Sequence, residues 1–402
     1  MKFREFLKAG HPATLVSAFL YFDVSFMVWV MIGALGVYIA EDLLLSATQK
    51  GLIVSVPLLA GSLLRLPMGI AADRFGSKKT GAAGLCLTLI PLLLGWLSAK
   101  SLNDIFLVGL MLGVAGASFA VALPMASRWY PARYQGLVMG IAGAGNSGTV
   151  LAVFFAPRLA EHVGWQSVFG LAVVPVMLTL AVFLLLAKDS PAKPPPQRLA
   201  HYLAVLTERD AWWFNLFYLV TFGGFVGLAS FLSIFFRDQY SLSPVMAGNF
   251  TAMCVFAGSF LRPLGGFLAD RFGGIRCLLV IYGAVSALML LVGGLPPLPW
   301  AGVTLLLAMS ALGMGNGAVF QLVPQRFQRE IGVVTGVVGA AGGLGGFLLP
   351  ALLGLLKDFT GSYGMGFFGF GLAASGSALL LVYVQREWRG QWAREKGLEI
   401  SL

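Results

Sequence analysis

Twelve apolar stretches recur along the chain, at roughly 12–40, 46–72, 79–98, 104–127, 134–157, 164–187, 211–236, 243–269, 275–295, 300–324, 332–356 and 362–385. Each is about 18 residues or longer, enough to cross a bilayer as a helix. A water-soluble globule is excluded: 58% of the residues are hydrophobic and 11% are charged, where a soluble domain carries about 25% charge. A membrane β-barrel would show alternating segments of about ten residues, and this sequence does not. The expected fold class is therefore all-α, a membrane protein of twelve transmembrane helices.

The formal net charge of +10 suggests nucleic acid until the basic residues are placed. The loops on the side of the N-terminus hold 20 of the 27 Lys and Arg, and the opposite loops hold five: Lys50, Lys100, Arg158, Arg237 and Lys357. That is the positive-inside asymmetry. It places both termini in the cytoplasm, and the basic excess reports topology, with no nucleic-acid partner implied. The start, MKFREFLKAG, is charged and lacks a convincing cleavage site, so the first span reads as an uncleaved helix. Cys86, Cys254 and Cys277 fall within spans and read as buried thiols, not as a disulfide or metal framework. His11, His162 and His201 fall at ends or in loops and read as solvated.

The chain repeats itself. AGSLLRLPMGIAADRFG at 60–76 returns as AGSFLRPLGGFLADRFG at 257–273, with eleven of seventeen residues identical at an offset of 197. GVAGASFAVALP from Gly113 echoes in GMGNGAVFQLVP from Gly313, and GAGNSG from Gly143 in AGGLGG from Ala341. This gives an N-terminal six-helix half (1–187) and a C-terminal six-helix half (211–385), which make a pseudo-symmetric pair. A Pro-rich charged linker, KDSPAKPPPQRLAHYLAVLTERD (188–210), joins them on the cytoplasmic side, with room for one short interfacial helix. A cytoplasmic tail follows (386–402). Two halves of parallel topology suit a transporter with its site between them near the midplane.

Arg65 and Arg262 sit in the repeated phrase, eight residues before Asp73 and Asp270. That is roughly 10–12 Å into the membrane, at a cost of at least about 2.5–3.5 kcal/mol each on insertion scales. They must face the bundle interior or a wet cavity, and the repeat sets them opposite one another. Two guanidiniums in low dielectric repel, and an anion between them relieves the repulsion, the planar fork suiting an oxyanion. The alternative is structural pairing with carboxylates or carbonyls. Of seventeen acids only Asp23 lies within a span.

The motifs then resemble a known family. GIAADRFGSKK (69–79), echoed by Gly266, Asp270, Arg271 and Gly273, is similar to the loop motif of the major facilitator superfamily. With Arg74, Lys78 and Lys79 beside Asp73, and Arg271 beside Asp270, it can latch one half against the other. Topological charge alone is the alternative. GAGNSG (143–148), AGGLGGFLLP (341–350) and LYFDVSFMVW (20–29) resemble signatures of the nitrate/nitrite porters, a branch of that superfamily. The resemblance covers nearly the whole membrane domain. It implies that Arg65 and Arg262 clamp the substrate and that Asn146 donates to an anion oxygen. It also implies that Phe119, Tyr218 and Phe222 shape the pocket, core packing being the alternative for each. Gly143, Gly145 and Gly148 in span five, with Gly342, Gly343, Gly345 and Gly346 in span eleven, let the helices approach closely and gate the path.

Asp23 complicates the picture, at roughly 15 Å depth by residue count. Some porters of this family lack any protonatable acid in the path and exchange nitrate for nitrite. Asp23 could balance an arginine, take a proton with the anion, or hydrogen-bond neighbouring helices without titrating. Inward-negative potential opposes anion entry by about 2.3 kcal/mol per charge per 100 mV, so import needs a coupled cation. The reading is a monomeric transporter in the cytoplasmic membrane of a bacterium or archaeon. It imports nitrate, with nitrite as a further candidate, by alternating access coupled to protons. A nitrate/nitrite exchanger and an anion-binding membrane sensor are the alternatives. A channel fits the two-halves repeat less well. No metal cluster, nucleophile–base pair or nucleotide loop points to an enzyme or a cofactor, and the only other contact implied is membrane lipid.

Overall fold

In hydrocarbon every backbone N–H and C=O must find its partner within the chain, and a helix achieves this within one segment. A computed structural model describes residues 3–190, 204–327 and 331–396. Among these lie twelve membrane-length helices. They are α1 (Pro12–Trp29), α2 (Ala47–Phe75), α3 (Ser77–Leu97), α4 (Leu102–Ser127), α5 (Val138–Val163), α6 (Trp165–Leu186), α7 (Arg209–Tyr240), α8 (Pro244–Phe272), α9 (Gly274–Gly293), α10 (Leu298–Val323), α11 (Val333–Thr360) and α12 (Gly364–Trp388). The chain is an integral membrane protein, and large apolar side chains such as Leu63, Leu178, Phe256 and Phe260 lie exposed on its outer faces.

Local chemistry sets the ends. Ser46 and Gln49 form a reciprocal capping box at the start of α2, and Ser101 with Asp104 does the same for α4. The sharp turns after α2 and α8 require left-handed backbone, met by Gly76 (φ 97°) and Gly273 (φ 93°). The turns after α5 and α11 use Gly164 (φ 79°) and Gly361 (φ 72°). Both pairs stand 197 positions apart, so the repeat is a repeat of geometry as well as of letters.

Several helices depart from the sequence expectation. The first span breaks at Val30 and Leu35 and finishes as two short pieces, Met31–Ala34 and Gly36–Asp42. The fourth breaks at Ala117 and Ser118, and the fifth tightens to a 3-10 turn at Ala144–Ser147. The last helix does not stop at 385 but runs unbroken from Gly364 to Lys396, so most of the expected tail is helical. The interfacial helix expected in the linker falls largely on 191–203, outside the described residues. Cys254 is buried and Cys277 partly so, but Cys86 lies on an exposed face of an apolar helix and points to lipid. His11 is a helix cap, not a solvated side chain: its Nδ1 accepts the Thr14 N–H at 3.1 Å and its ring packs on Trp129. His162 is exposed as expected, and His201 lies outside the described residues.

On the side of the termini, each half has its own charged clasp. Arg128 pairs with Asp73 at 2.6 Å, and Asp189 accepts the Lys78 N–H at 2.9 Å. In the second half Asp210 accepts from Arg326 and, at 2.8 Å, from Trp388 Nε1, tying α7, α10 and α12 together. Breaking a buried ion pair on one side costs about 3–5 kcal/mol, less with partial solvent access. Asp210→Ala is accordingly expected to cost about 2 kcal/mol, read as a lower Tm of the detergent-purified protein. Asp210→Asn keeps an acceptor for Trp388 and should fall between; a Tm unchanged by either variant would show that the clasp contributes nothing.

Candidate functional site

α2 crosses α11 and α5 crosses α8, so these four helices line the seam between the halves. Arg65 sits on α2 facing α11 and is 1% exposed. Its Nη1 donates to the Gly339 carbonyl of α11, and one turn earlier Ser62 Oγ donates to the adjacent Ala340 carbonyl. Arg65 Nε reaches the Gly116 carbonyl at 3.5 Å. That carbonyl is available because α4 breaks there, the Ala120 N–H turning to Ala117 instead. The guanidinium carbon lies 5.2 Å from the ring centres of both Phe119 and Phe222 and 5.7 Å from that of Trp29, within cation–π range. Arg65 Nη2 is buried with no hydrogen-bond partner among the described residues.

Arg262 is held differently. Its Nη2 meets Tyr218 Oη at 3.5 Å, its guanidinium carbon lies 5.8 Å from the Phe320 ring centre, and its Nη1 is buried without a partner. Tyr218 stacks on Phe222 at 5.0 Å and meets Phe320 edge-on at 4.9 Å. Phe320 also faces Phe119 across the seam at 6.4 Å. Five aromatic rings therefore enclose two mutually repelling guanidiniums. Among the described residues neither arginine has a carboxylate partner, and each keeps one buried N–H group unpaired, an arrangement that an oxyanion completes.

The expected symmetry of the two arginines holds for their positions but not for their contacts. Arg65 takes the carbonyl partners named above as the alternative and is fixed. Arg262 leans on one tyrosine and is only partly buried. Phe119, Tyr218 and Phe222 gather around the two arginines. Trp29 and Phe320 belong to the same enclosure and were not singled out in the sequence. Each ends or sits inside a quoted motif, LYFDVSFMVW and GMGNGAVFQLVP, but nothing in residue type separates a site ring from a core ring.

Asn146 is 2% exposed, and its Oδ1 has no partner. Among the described residues no hydrogen bond joins it to either arginine. It lies in the 3-10 turn of α5, packed on α1: a Cβ at Gly145 would meet the Phe22 ring at 2.6 Å, and one at Gly148 would strike the Asp23 backbone. Phe22 in turn contacts Phe119 at 5.7 Å. Asp23, 7% exposed, accepts a hydrogen bond from Ser147 Oγ at 2.6 Å and has no cationic partner among the described residues.

The glycines of α11 let its backbone reach the neighbouring helices. Gly342 faces Tyr218 and Phe222, Gly343 faces Ser62, Gly345 faces Gly223, and Gly346 faces Val226 and Leu58. Gly143 is different: with Gly140 and Gly336 it has no atom within 4 Å of where a Cβ would lie, so it does not serve close helix contact. The far side is tied shut across the halves. Lys50 pairs with Asp238 at 2.8 Å, Arg237 with Glu41 at 2.8 Å, and Arg158 bonds Asn249 at 2.5 Å. Asp358 accepts the Ala47 and Thr48 N–H groups at 3.1 and 2.8 Å, capping α2 from α11. The loop-motif residues Asp73 and Lys78 hold partners within their own half, Arg74 and Arg271 lie over the adjacent Phe75 and Phe272, and Asp270 is exposed.

Residues 17–350 match the family model described as Major Facilitator Superfamily. The chain is 34% identical over 360 residues to a protein of Bacillus subtilis (strain 168) named nitrite extrusion protein, covering 89% of this chain and 91% of that one. It is 34% identical over 359 residues to the probable nitrate/nitrite transporter NarK2 of Mycobacterium tuberculosis (strain ATCC 25618 / H37Rv), covering 87% and 90%. In fold it is similar to the partially occluded inward-open xylose transporter XylE from E. coli, with a TM-score of 0.73 at 16% identity, covering 92% of this chain and 97% of that one.

Proposed function

The chain belongs to the nitrate/nitrite porters of the Major Facilitator Superfamily, and from that premise we propose that it imports nitrate, and nitrite as a second cargo, together with protons by alternating access. The observation that carries proton coupling is Asp23, a carboxylate buried within the membrane span with no cation paired to it among the described residues. An ion left uncompensated there is costly, and neutralisation by a proton relieves the cost.

In this reading Arg65 and Arg262 bind the anion through the N–H groups they leave unpaired. Tyr218 Oη donates to it, and the rings of Trp29, Phe119, Phe222 and Phe320 exclude water. Asn146 borders the path, and Asp23 carries the proton. The glycines of α5 and α11 let the halves rock about the bound ion. The loop motif around Asp73, Arg74, Lys78, Asp270 and Arg271 latches the halves in the opposite state. Both termini are cytoplasmic, and the mouth tied by Lys50–Asp238 and Arg237–Glu41 is the outer one. Exchange is the second reading. The Bacillus relative's name speaks of nitrite leaving, and two guanidiniums left facing each other make an empty carrier reluctant to reorient.

The two readings separate in liposomes holding the purified chain, empty of anion, with nitrate outside and an inward proton gradient. Symport predicts accumulation that collapses with the gradient and falls at least about tenfold in Asp23→Asn. Uptake indifferent to protons but dependent on internal nitrite would make the chain an exchanger and Asp23 a structural residue.

A further inference from the structure

Among the described residues no hydrogen bond or ion pair joins Asp23 to the anion enclosure, so its charge state needs a mechanical route to it. Two groups of α5 reach the Asp23 carboxylate, the Ser147 hydroxyl and the Gly148 backbone N–H, and of these only the hydroxyl can also accept. Ser147 Oγ donates to Asp23 Oδ1 at 2.6 Å, and Ser147 closes the 3-10 turn Ala144–Ser147 that interrupts α5. A 3-10 stretch inside a helix often marks a hinge. The preceding residue is Asn146, whose buried Oδ1 lacks a partner. The turn bears on α1 through Gly145 and Phe22, and Phe22 bears on Phe119, which faces Arg65.

We propose that Ser147 is the positioning residue that transmits the charge state of Asp23 to the anion site, by resetting the short turn that carries Asn146. This rests on the proton-coupled reading above and extends it. An ionised carboxylate only accepts, so the Ser147 hydroxyl is committed to it. A protonated carboxyl can donate to Ser147 instead. The hydroxyl proton is then released to a carbonyl one turn back, a bond that bends helices. The turn shifts, and with it the Asn146 amide and the Phe22–Phe119 contact.

Other charges are poorly placed to intervene. Of the helices packed on α1, α2 carries Lys50, Arg65, Asp73 and Arg74, α3 carries Lys78 and Lys79, α4 carries Asp104, α5 carries Arg158, Glu161 and His162, the segment Ala132–Gly143 leading into α5 carries Arg133, and α6 carries none. All but Arg65 sit near helix ends, and Arg65 is turned to Gly116 and Gly339. The Tyr21 hydroxyl faces Gly84 on α3.

The test uses the full chain in liposomes, with KM for nitrate measured by counterflow at matched internal and external pH from acidic to alkaline. Wild type should show an affinity that changes about tenfold across the range, a usual size for coupled sites. Ser147→Ala should keep counterflow while flattening that change to about twofold or less. Ser147→Thr, which keeps the hydroxyl, should retain the wild-type profile. In an Asp23→Asn background Ser147→Ala should add nothing. If Ser147→Ala weakens binding equally at every pH, or Ser147→Thr fails as Ala does, Ser147 is a packing residue and the proposal is wrong. A wild-type profile that is flat, with Asp23→Asn fully active, would remove the proton-coupled reading itself and this inference with it.

Discussion

Arg65→Lys will weaken nitrate binding by about 100-fold or more in a protein that still folds. The lysine keeps the charge, so the loss measures geometry. Arg65 spends two of its nitrogens on the Gly339 and Gly116 carbonyls and keeps Nη2 unpaired inside the enclosure. An ammonium group on a shorter stem cannot hold both carbonyls and still present a donor to the anion. A charge-assisted hydrogen bond is worth about 1.5–3 kcal/mol. Stacking against desolvated rings adds up to about 2 kcal/mol. The sum spans about 1.5–5 kcal/mol, and at about 1.4 kcal/mol per factor of ten its middle, about 3 kcal/mol, is a two-decade loss.

Arg262→Lys should weaken binding comparably, because its Nη1 is equally unpaired, yet the two variants should differ in stability. Arg65 stitches α2 to α11, whereas Arg262 meets only Tyr218. A lower Tm in the absence of nitrate is therefore expected for Arg65→Lys alone. The double variant should be little worse than either single, since the pair acts as a unit. Nitrate-induced thermal stabilisation and liposome uptake read both effects. Arg65→Lys that binds nitrate within about threefold of wild type would sink the clamp.

The arginines were legible because a buried charge is costly enough to stand out of any apolar run, and the repeat doubled the signal. The repeat also announced the paired turns at Gly76 and Gly273, where residue type and backbone demand coincide. The partners of the arginines were not legible. Gly339 and Gly116 contribute carbonyls, which every residue carries, and the α4 break that frees Gly116 has no marker in GVAGASFA. Trp29 and Phe320 were hidden by abundance, as rings make up 12% of the chain. Faces were hidden by the solvent: with lipid outside and packing inside, both sides of a helix are apolar. Cys86 on an outer face and Cys254 in the core therefore look alike in sequence. The Asp73–Arg128 pair joins residues 55 positions apart, a separation that charge patterning along one helix does not reach.

Gly51→Leu should abolish transport while leaving nitrate binding nearly intact. The far-side closure depends on α2 and α11 touching backbone to backbone. A Cβ at Gly51 would lie 3.3 Å from the Gly354 Cα and press on the Pro350 carbonyl, and Gly354 in turn lies against Ala47. A leucine there has no flexible neighbour to displace. Overpacking against side chains costs about 1–3 kcal/mol, and backbone atoms yield less readily. A loss of about 3 kcal/mol from the closed state alone cuts its population roughly 150-fold relative to the open one. The open state keeps both arginines, so the anion still binds from the far side and the carrier fails to turn over. Asp358→Asn and Asp238→Asn, which weaken ties at the same mouth, should shift the balance the same way by about tenfold at most. The readout is a cysteine at Leu58, fully buried against Gly346, in a chain lacking Cys86, Cys254 and Cys277. A charged, membrane-impermeant thiol reagent applied from the far side should label it quickly in Gly51→Leu and slowly otherwise. Normal transport by Gly51→Leu, or lost transport with Leu58→Cys still protected from the far side, would show that this crossing does not close the path.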